Sequence, residues 1–360
     1  MHIDLDYFYA QCEENLNESI RGKPVVVCVY SGRTEESGVV STCNYEARDY
    51  GVRAGIPITR AKKLLDTTPA VFLPMNRPHY EEVSNRILEV VKAHGDSFEK
   101  VGIDEAFIEV TVTTDGNFRE AEKIAGEIRL QILQQERITC SIGIAPNKML
   151  AKIASDHQKP KGLTIVEPGQ VVSFLKGLPV NRIPGVGRKV EEKLNQLKVK
   201  TVDQLSGPSP SSLVEVFGIS LGTYLYRAAR GEDDEPVRER DQPSQFSRIA
   251  TLRHNTYLLT DVQPLLEELA TSVTMKLIKE SMTCKSIGVI AILEDLSIHS
   301  KSKTLDSPTN DEQVISQVSK DLMKQFLDSE QKVAVRRVGV KLSGLARRSG
   351  QTDISKFLHA

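Results

Sequence analysis

No stretch of this 360-residue chain approaches the run of about 20 apolar residues that spans a bilayer, so no membrane span is expected. The opening residues, MHIDLDYF, carry two acids and no basic region followed by an apolar one; a secretory signal is not expected, and the cytoplasm is. Cysteine is scarce and scattered: Cys12, Cys28, Cys43, Cys140 and Cys284 are odd in number and form no C-x-x-C pair, which argues against a disulfide framework and a zinc site. An excess of one charge is also lacking. The net charge of −1 says nothing of a nucleic-acid partner, although residues 237–360 hold 18 Lys and Arg against 15 Asp and Glu, leaving 29 against 33 for the rest. A mildly basic back half behind an acidic front half hints at divided labour. What is plentiful is core material: 39% hydrophobic and 26% charged residues over a length that exceeds one hydrophobic core predict two to four domains.

Periodicity gives those domains a shape. A short strand at 1–5 leads into a helix from about Tyr7, with Asp6 placed to cap it. Tyr80, Val83, Ile87 and Val90 fall at helical spacing and end at Gly95, which suits a C-terminal cap. SFEKVGI and AFIEVTV read as strands joined through Asp104 and Glu105, the next helix carries Ala121, Ile124, Ile128 and Ile132 on one face, and ITCSIGIA closes the set. The order β, α, β, β, α, β is the ferredoxin-like one, with residues 18–75 inserted after the first helix. A second βαββαβ order runs from FSRIATLRH to VAVRRVGVKL. A helical stretch at 166–232 and a charged, proline-containing linker stand between the two units. The fold class expected is α+β.

Asp4 on the first strand and Asp104 and Glu105 between the middle strands become neighbours in such a sheet, and at a hairpin apex both of the latter can turn toward one pocket. Converging carboxylates repel unless something positive joins them, and hard divalent cations with oxygen ligands do so. Mg²⁺ uses one or two carboxylates per ion together with substrate phosphates, and paired ions suit in-line displacement at phosphorus, so phosphoryl or nucleotidyl transfer is the expected reaction class. Asp6 shares the face of Asp4 by period two, yet its place before a helix favours the cap.

IDLDYFYAQCEE, GKPVVVCVYSGR, CNYEARDYGVRAGIPI, VGIDEAFIEVT, SIGIAPNKMLAKIASDHQKPKGL and IPGVGRKVEEKL resemble, in order and spacing, the Y-family DNA polymerases of the archaeal DinB-like (polymerase IV) branch. The resemblance implies a right-hand polymerase. Its palm would be 1–17 and 76–165, the fingers 18–75, the thumb 166–232, a linker 233–244, a ferredoxin-like little finger 245–346, and a tail 347–360. It makes Asp4, Asp104 and Glu105 the catalytic, metal-binding carboxylates of two Mg²⁺ ions, with the carbonyl of Leu5 completing one site; Asp6 is not a ligand in that pattern. Tyr9 matches the aromatic that blocks a ribose 2′-OH, although alone it reads as a core tyrosine.

Tyr45 and Arg48, three apart and on one face if that segment is helical, are assigned with Thr42 and Lys159 to the incoming dNTP, where the Arg fork suits phosphate. Val29, Val39, Ser41 and Gly55 match positions facing the templating base. Small side chains there would leave an open roof and loose fidelity. Gly185 and Gly187 of a helix-hairpin-helix would bring backbone N–H groups to a phosphate. Arg253, Lys301, Lys303, Arg337 and Lys341 would grip primer-template DNA without reading sequence. In the tail, Gln351, Ile354, Phe357 and Leu358 follow the spacing of a peptide that binds a sliding clamp.

The implied activity is low-fidelity, template-directed translesion synthesis by a monomer with no proofreading nuclease, since four domains use up the chain. A nucleotide cyclase and a non-catalytic DNA scaffold are the competing readings, and metal-dependent dNTP incorporation separates them. Two departures bear on the metal site: only Met1, His2 and Ile3 precede Asp4, and Gly102 stands where the family has Ser.

Overall fold

The fold follows from a computed structural model, which describes residues 1–239, 243–329 and 333–347. The proposed clamp motif, Gln351, Ile354, Phe357 and Leu358, lies outside them. Among the described residues no helix is long and apolar enough to cross a membrane. The described residues divide into two compact units, 1–28, 40–56 and 60–239 in one and 29–39, 57–59, 243–329 and 333–347 in the other.

Strand β1 (His2–Leu5) alternates Ile3 and Leu5 with His2 and Asp4, and α1 (Phe8–Leu16) follows. The inserted segment holds β2 (Val25–Tyr30), β3 (Gly38–Cys43), α2 (Tyr45–Asp49), α3 (Ile58–Leu64) and β4 (Val71–Pro74), with the sheet order β3-β2-β4. Then come α4 (Arg77–Lys92), β5 (Ser97–Lys100), β6 (Glu105–Glu109), α5 (Phe118–Glu136), β7 (Cys140–Ile144), α6 (Lys148–Ser155) and β8 (Leu163–Ile165). Their sheet runs β5-β6-β1-β7-β8, antiparallel except for the last pair. Buried Ile3, Leu5, Phe8, Tyr80, Ile87, Ile108, Ile128, Ile132 and Ile142 form the core under it, the positions that the 3.6 and 2.0 periods select.

Helix α6 approaches the sheet so closely that a Cβ on Gly143 would lie 2.0 Å from the carbonyl oxygen of Ala151 and 2.4 Å from the amide nitrogen of Ser155. Only glycine fits, and this contact sets the height of α6 above β7. On its far side α6 lends Met149, Leu150 and Ile153 to a second core with α7 (Val171–Leu175), α8 (Arg188–Gln196), α9 (Val202–Leu205), α10 (Pro210–Phe217) and α11 (Ile219–Ala228). The segment after α11 is pinned to the start of α6: Asn147 donates to the Gly231 carbonyl at 2.7 Å and the Met149 N–H donates to Asp233 at 3.0 Å.

The second unit contains β9 (Gln245–Thr256), α12 (Leu259–Lys279), β10 (Met282–Leu293), β11 (Ile298–Thr309), α13 (Glu312–Asp328) and β12 (Val335–Arg347). The βαββαβ order is as expected, but the strands lie β11-β10-β12-β9, so the first strand is at an edge here whereas β1 is central in the other sheet. One face of this sheet packs Ile287, Val289, Val338, Val340 and Leu342 against α12 and α13 through Leu266, Val273, Ile315 and Met323.

Three local readings are corrected. Asp6 does not cap α1: Tyr7, at φ 34°, occupies the N-cap without a capping side-chain bond, and Asp6 is drawn into the sheet instead. Gly95 is not a left-handed C-cap, because α4 ends at Lys92 with Ala93 as its C-cap; a Cβ on Gly95 would meet Ile108 and the Ser97 carbonyl at 2.9 Å, so close approach requires the glycine. Glu105 is not in the hairpin turn but is the first residue of β6, while Val101 and Gly102 donate back to its carbonyl at 3.1 Å.

Candidate active site

The register β1–β6 sets Asp4 opposite Glu105, and directly opposed residues share a face. Asp104 closes the turn beside them, its carbonyl accepting the Leu5 N–H at 2.9 Å, and Ser84 of α4 holds that turn by donating to the Ile103 carbonyl. Asp4, Asp104 and Glu105 are all partly buried. Burial, outweighing the pull of Lys159, pushes the Asp4 carboxyl up to about 6, with Asp156 and Asp104 adding repulsion. Asp104 is also raised, by burial and then by the Glu105 charge. Glu105 is held down to about 2 by the His2 ring beside it and by Lys152.

Two lysines meet these acids. Lys152 Nζ bonds Oε2 of Glu105, and Lys159 Nζ bridges Asp4 at 2.6 Å and Asp156 at 2.8 Å. Lys159 is thus an ion-paired side chain; although burial disfavours its ammonium, Asp4 and Asp156 raise its pKa. Sequence reasoning missed Lys152 and His2. The signal was present for Lys152, since Lys148, Lys152 and Asp156 recur every four residues along α6 and its cap.

His2, Asp4 and Glu105 bring potential ligand atoms within 4.8 Å of one another, and the His2 Nε2 is buried without a well-aligned hydrogen-bond partner among the described residues. Carboxylates of which burial, and then their neighbours' charges, push two upward form an oxygen-rich donor set that fits a hard divalent ion. Asp6 points away from it. Its oxygens accept from Ser141 Oγ at 2.7 Å, Thr139 Oγ1 at 2.9 Å and the Lys161 N–H at 2.9 Å, which gives it a structural place at 1% exposure.

The Tyr9 ring stacks on Tyr80 with centroids 4.6 Å apart and planes 15° from parallel, so Tyr9 packs as a core tyrosine would while remaining partly exposed. Asn44 caps α2 and also donates to Glu14 at 3.0 Å, tying α2 to α1. On α2, Arg48 lies over the Tyr45 ring at 4.6 Å and donates to the Cys43 carbonyl at 3.2 Å, while Tyr45 meets Tyr7 edge-on at 5.4 Å. Thr42, next to Cys43 on β3, is half-buried. Ser41 donates to the Met75 sulfur at 3.8 Å, and Gly55, at φ 86°, has open space where a side chain would be. Val29 and Val39 are 40% and 44% exposed, so neither is a core valine.

Elsewhere, Gly185 sits at φ 85° and Gly187 is the N-cap of α8, under the Tyr224 hydroxyl that donates to Pro184 at 2.6 Å. The second sheet separates the five cations proposed for DNA. Arg337 and Lys341 lie opposite Ile292 and Gly288, on the face away from the helices, and Arg253 follows buried Leu252 onto that same face. Lys301 and Lys303 lie opposite Val289 and Ile287, on the helix side, where Lys301 donates to the Gln325 carbonyl at 3.2 Å.

Comparison with known proteins agrees across the whole chain. Residues 3–156 match the impB/mucB/samB family, 243–355 its C-terminal domain, and 181–233 a DNA polymerase-iota thumb domain. DNA polymerase IV 1 of Methanosarcina mazei is 42% identical, over 99% of this chain and 98% of its own length. Among solved structures, a Y-family DNA polymerase chimera of Dbh and Dpo4 superposes at TM-score 0.91 with 38% identity, covering 96% of this chain and 99% of its own. An insertion ternary complex of Dbh DNA polymerase has the same identity and coverage at TM-score 0.69. The chain therefore belongs to the Y family of DNA polymerases, in the archaeal DinB-like, DNA polymerase IV branch, and is a DNA-directed DNA polymerase.

Proposed function

We propose that the enzyme adds dNMP to a primer 3′-OH opposite a template strand, with low fidelity, past lesions, and without a proofreading nuclease, in the cytoplasm. The observation that carries this reading is the meeting of Asp4, Asp104 and Glu105 across β1 and β6, flanked by Lys152 and Lys159. Family membership implies a divalent metal; we take it to be two Mg²⁺ ions, which when bound supply Lewis acidity toward the 3′-OH and charge neutralisation at the departing pyrophosphate. Asp4, Asp104, Glu105 and the Leu5 carbonyl would hold them.

The chain's own groups do the rest. Lys159 leaves Asp4 and Asp156 to meet the triphosphate, which is chemically reasonable because all three partners offer anionic oxygens. Arg48 and Tyr45, already packed together, present a planar fork and a hydroxyl to the same phosphates, with Thr42 beside them. Tyr9, its ring fixed by stacking on Tyr80, blocks a 2′-OH. Exposed Val29 and Val39, with Ser41 and Gly55, face the templating base with little bulk, consistent with tolerance of damage.

Gly185 and Gly187 present backbone N–H groups at the start of α8 to a DNA phosphate, and Arg253, Arg337 and Lys341 contact the backbone from one open sheet face; Lys301 and Lys303, on the other face, make weaker candidates. Palm, fingers, thumb and little finger divide the chain near residues 18, 76, 166 and 245, the tail engages a sliding clamp, and the enzyme acts as a monomer. Primer extension on undamaged and abasic templates tests the reading. Wild type should extend both with dNTPs and Mg²⁺, and binding of primer-template without addition would leave the scaffold reading.

A further inference from the structure

Glu105 poses a mechanical question. Its carboxylate hangs on three torsions, the last of them broad, so packing at the start of β6 does not by itself fix where its oxygens point. Two donors converge on one of those oxygens. Lys152 Nζ bonds Oε2, and His2 Nε2 faces the same atom at 3.2 Å, while no hydrogen bond from a described residue reaches Oε1.

His2 is built for that position. It stands two residues before Asp4 on β1, hence on the same face, with 0% exposure and its ring 4.5 Å from that of Phe107, its cross-strand neighbour. Its other nitrogen, Nδ1, lies 2.8 Å from the Ser155 hydroxyl, which is itself 2.9 Å from the Lys152 carbonyl in the last turn of α6. The proton follows from the partners. A carboxylate oxygen can only accept, so Nε2 carries its N–H toward Oε2 of Glu105, while Ser155 Oγ, which can accept as well as donate, meets Nδ1. A protonated Nε2 is not a metal ligand, and hard oxygen-seeking ions have little use for imidazole nitrogen.

We propose that His2 is a positioning residue for the polymerase reaction: backed by Ser155, it holds Oε2 of Glu105 and so turns Oε1 toward the divalent ion. The inference rests on the reading of Asp4, Asp104 and Glu105 as metal-binding carboxylates. Outer groups of this kind change metal affinity or activity by about 10–100-fold when removed.

The test uses the full chain bound to a primer-template with a dideoxy-terminated primer and the matching dNTP, with Mn²⁺ binding read by electron paramagnetic resonance, so that no turnover intervenes. His2→Phe keeps the ring packing and removes the donor; it should weaken Mn²⁺ binding about tenfold or more and lower kcat, with the Kd for primer-template and the melting temperature close to wild type. His2→Gln, whose amide reaches the position of Nε2, should recover most of the loss, and Ser155→Ala should fall between. The inference is overturned if His2→Phe binds Mn²⁺ like wild type, or if His2→Gln is as impaired as His2→Phe and both losses follow the melting temperature. Should His2→Phe not fold, His2→Gln near wild type with Ser155→Ala weakened supports it, and Ser155→Ala at wild-type affinity overturns it. If wild type itself binds no Mn²⁺ in this complex, the metal reading of the carboxylates falls and this inference with it.

Discussion

Replacing Asp6 by alanine separates a structural carboxylate from a catalytic one two residues away. Asp6 accepts three hydrogen bonds at 1% exposure, from Ser141, Thr139 and the Lys161 N–H. Without the carboxylate, the Thr139 hydroxyl can turn to Gln11 Oε1, 3.2 Å away, but the Lys161 N–H is fixed by the backbone and the Ser141 hydroxyl loses its acceptor. Two stranded donors at about 1–3 kcal/mol each cost about 4 kcal/mol together. In a unit of this size that lowers the melting temperature by roughly 10 °C. Asp6→Asn, which keeps one acceptor, should lose about half as much. The assay is a thermal melt of each variant beside a Mg²⁺ titration of primer extension, run well below both transitions. The Mg²⁺ requirement should stay within about twofold of wild type. A variant that melts within 2 °C of wild type while needing about tenfold more Mg²⁺ would place Asp6 among the ligands and refute the reasoning.

Four further outcomes are expected. Because the Asp4 carboxyl titrates at about 6, a divalent ion must displace its proton below that pH; apparent Mn²⁺ affinity should fall by up to about tenfold per pH unit under pH 6 and be flat above pH 7, as isothermal titration between pH 5 and 8 would show. Gly143→Ala should push α6 off β7 and cost about 3 kcal/mol or more by denaturant melt, with Gly126→Ala, on the solvent face of α5, unchanged or slightly stabilised as control. Lys159→Met should raise the KM for dNTP by roughly tenfold or more in steady-state extension while leaving the Kd for primer-template unaltered. All five cysteines are buried, and burial holds the thiols of Cys12 and Cys140 up at about 12, so none should react with a thiol reagent at pH 8 until the chain is denatured.

How much of this was legible in the sequence depended on whether a residue's partner was near or far along the chain. The spacing of Tyr80, Val83 and Ile87, and of Ala121, Ile128 and Ile132, announced helices because the 3.6 period is local, and the βαββαβ order then brought Asp4 to Glu105. Asp6 was misread because a cap is a local contact, whereas its real partners, Ser141 and Lys161, lie more than a hundred residues away. Gly95 was misread for the same reason, its neighbour being Ile108 across the sheet. The split of Arg337 and Lys341 from Lys301 and Lys303 follows from the register between strands, which alternation along one strand cannot show. His2 went unnoticed because a strand histidine carries no signal of its own until the fold sets it against Glu105, whereas the four-residue recurrence along α6 marked Lys152 without naming its partner.

The central claim is that Asp4, Asp104 and Glu105 form one metal-dependent site for nucleotide addition. The most direct measurement is single-nucleotide primer extension with Mg²⁺ by wild type and by Asp104→Ala and Glu105→Ala, each first shown to bind primer-template and to melt like wild type. Addition by wild type that is abolished by chelation and falls by a thousandfold or more, on the order of 4 kcal/mol of barrier, in either variant is the predicted result. Extension by a folded Glu105→Ala enzyme at near wild-type rate would contradict it.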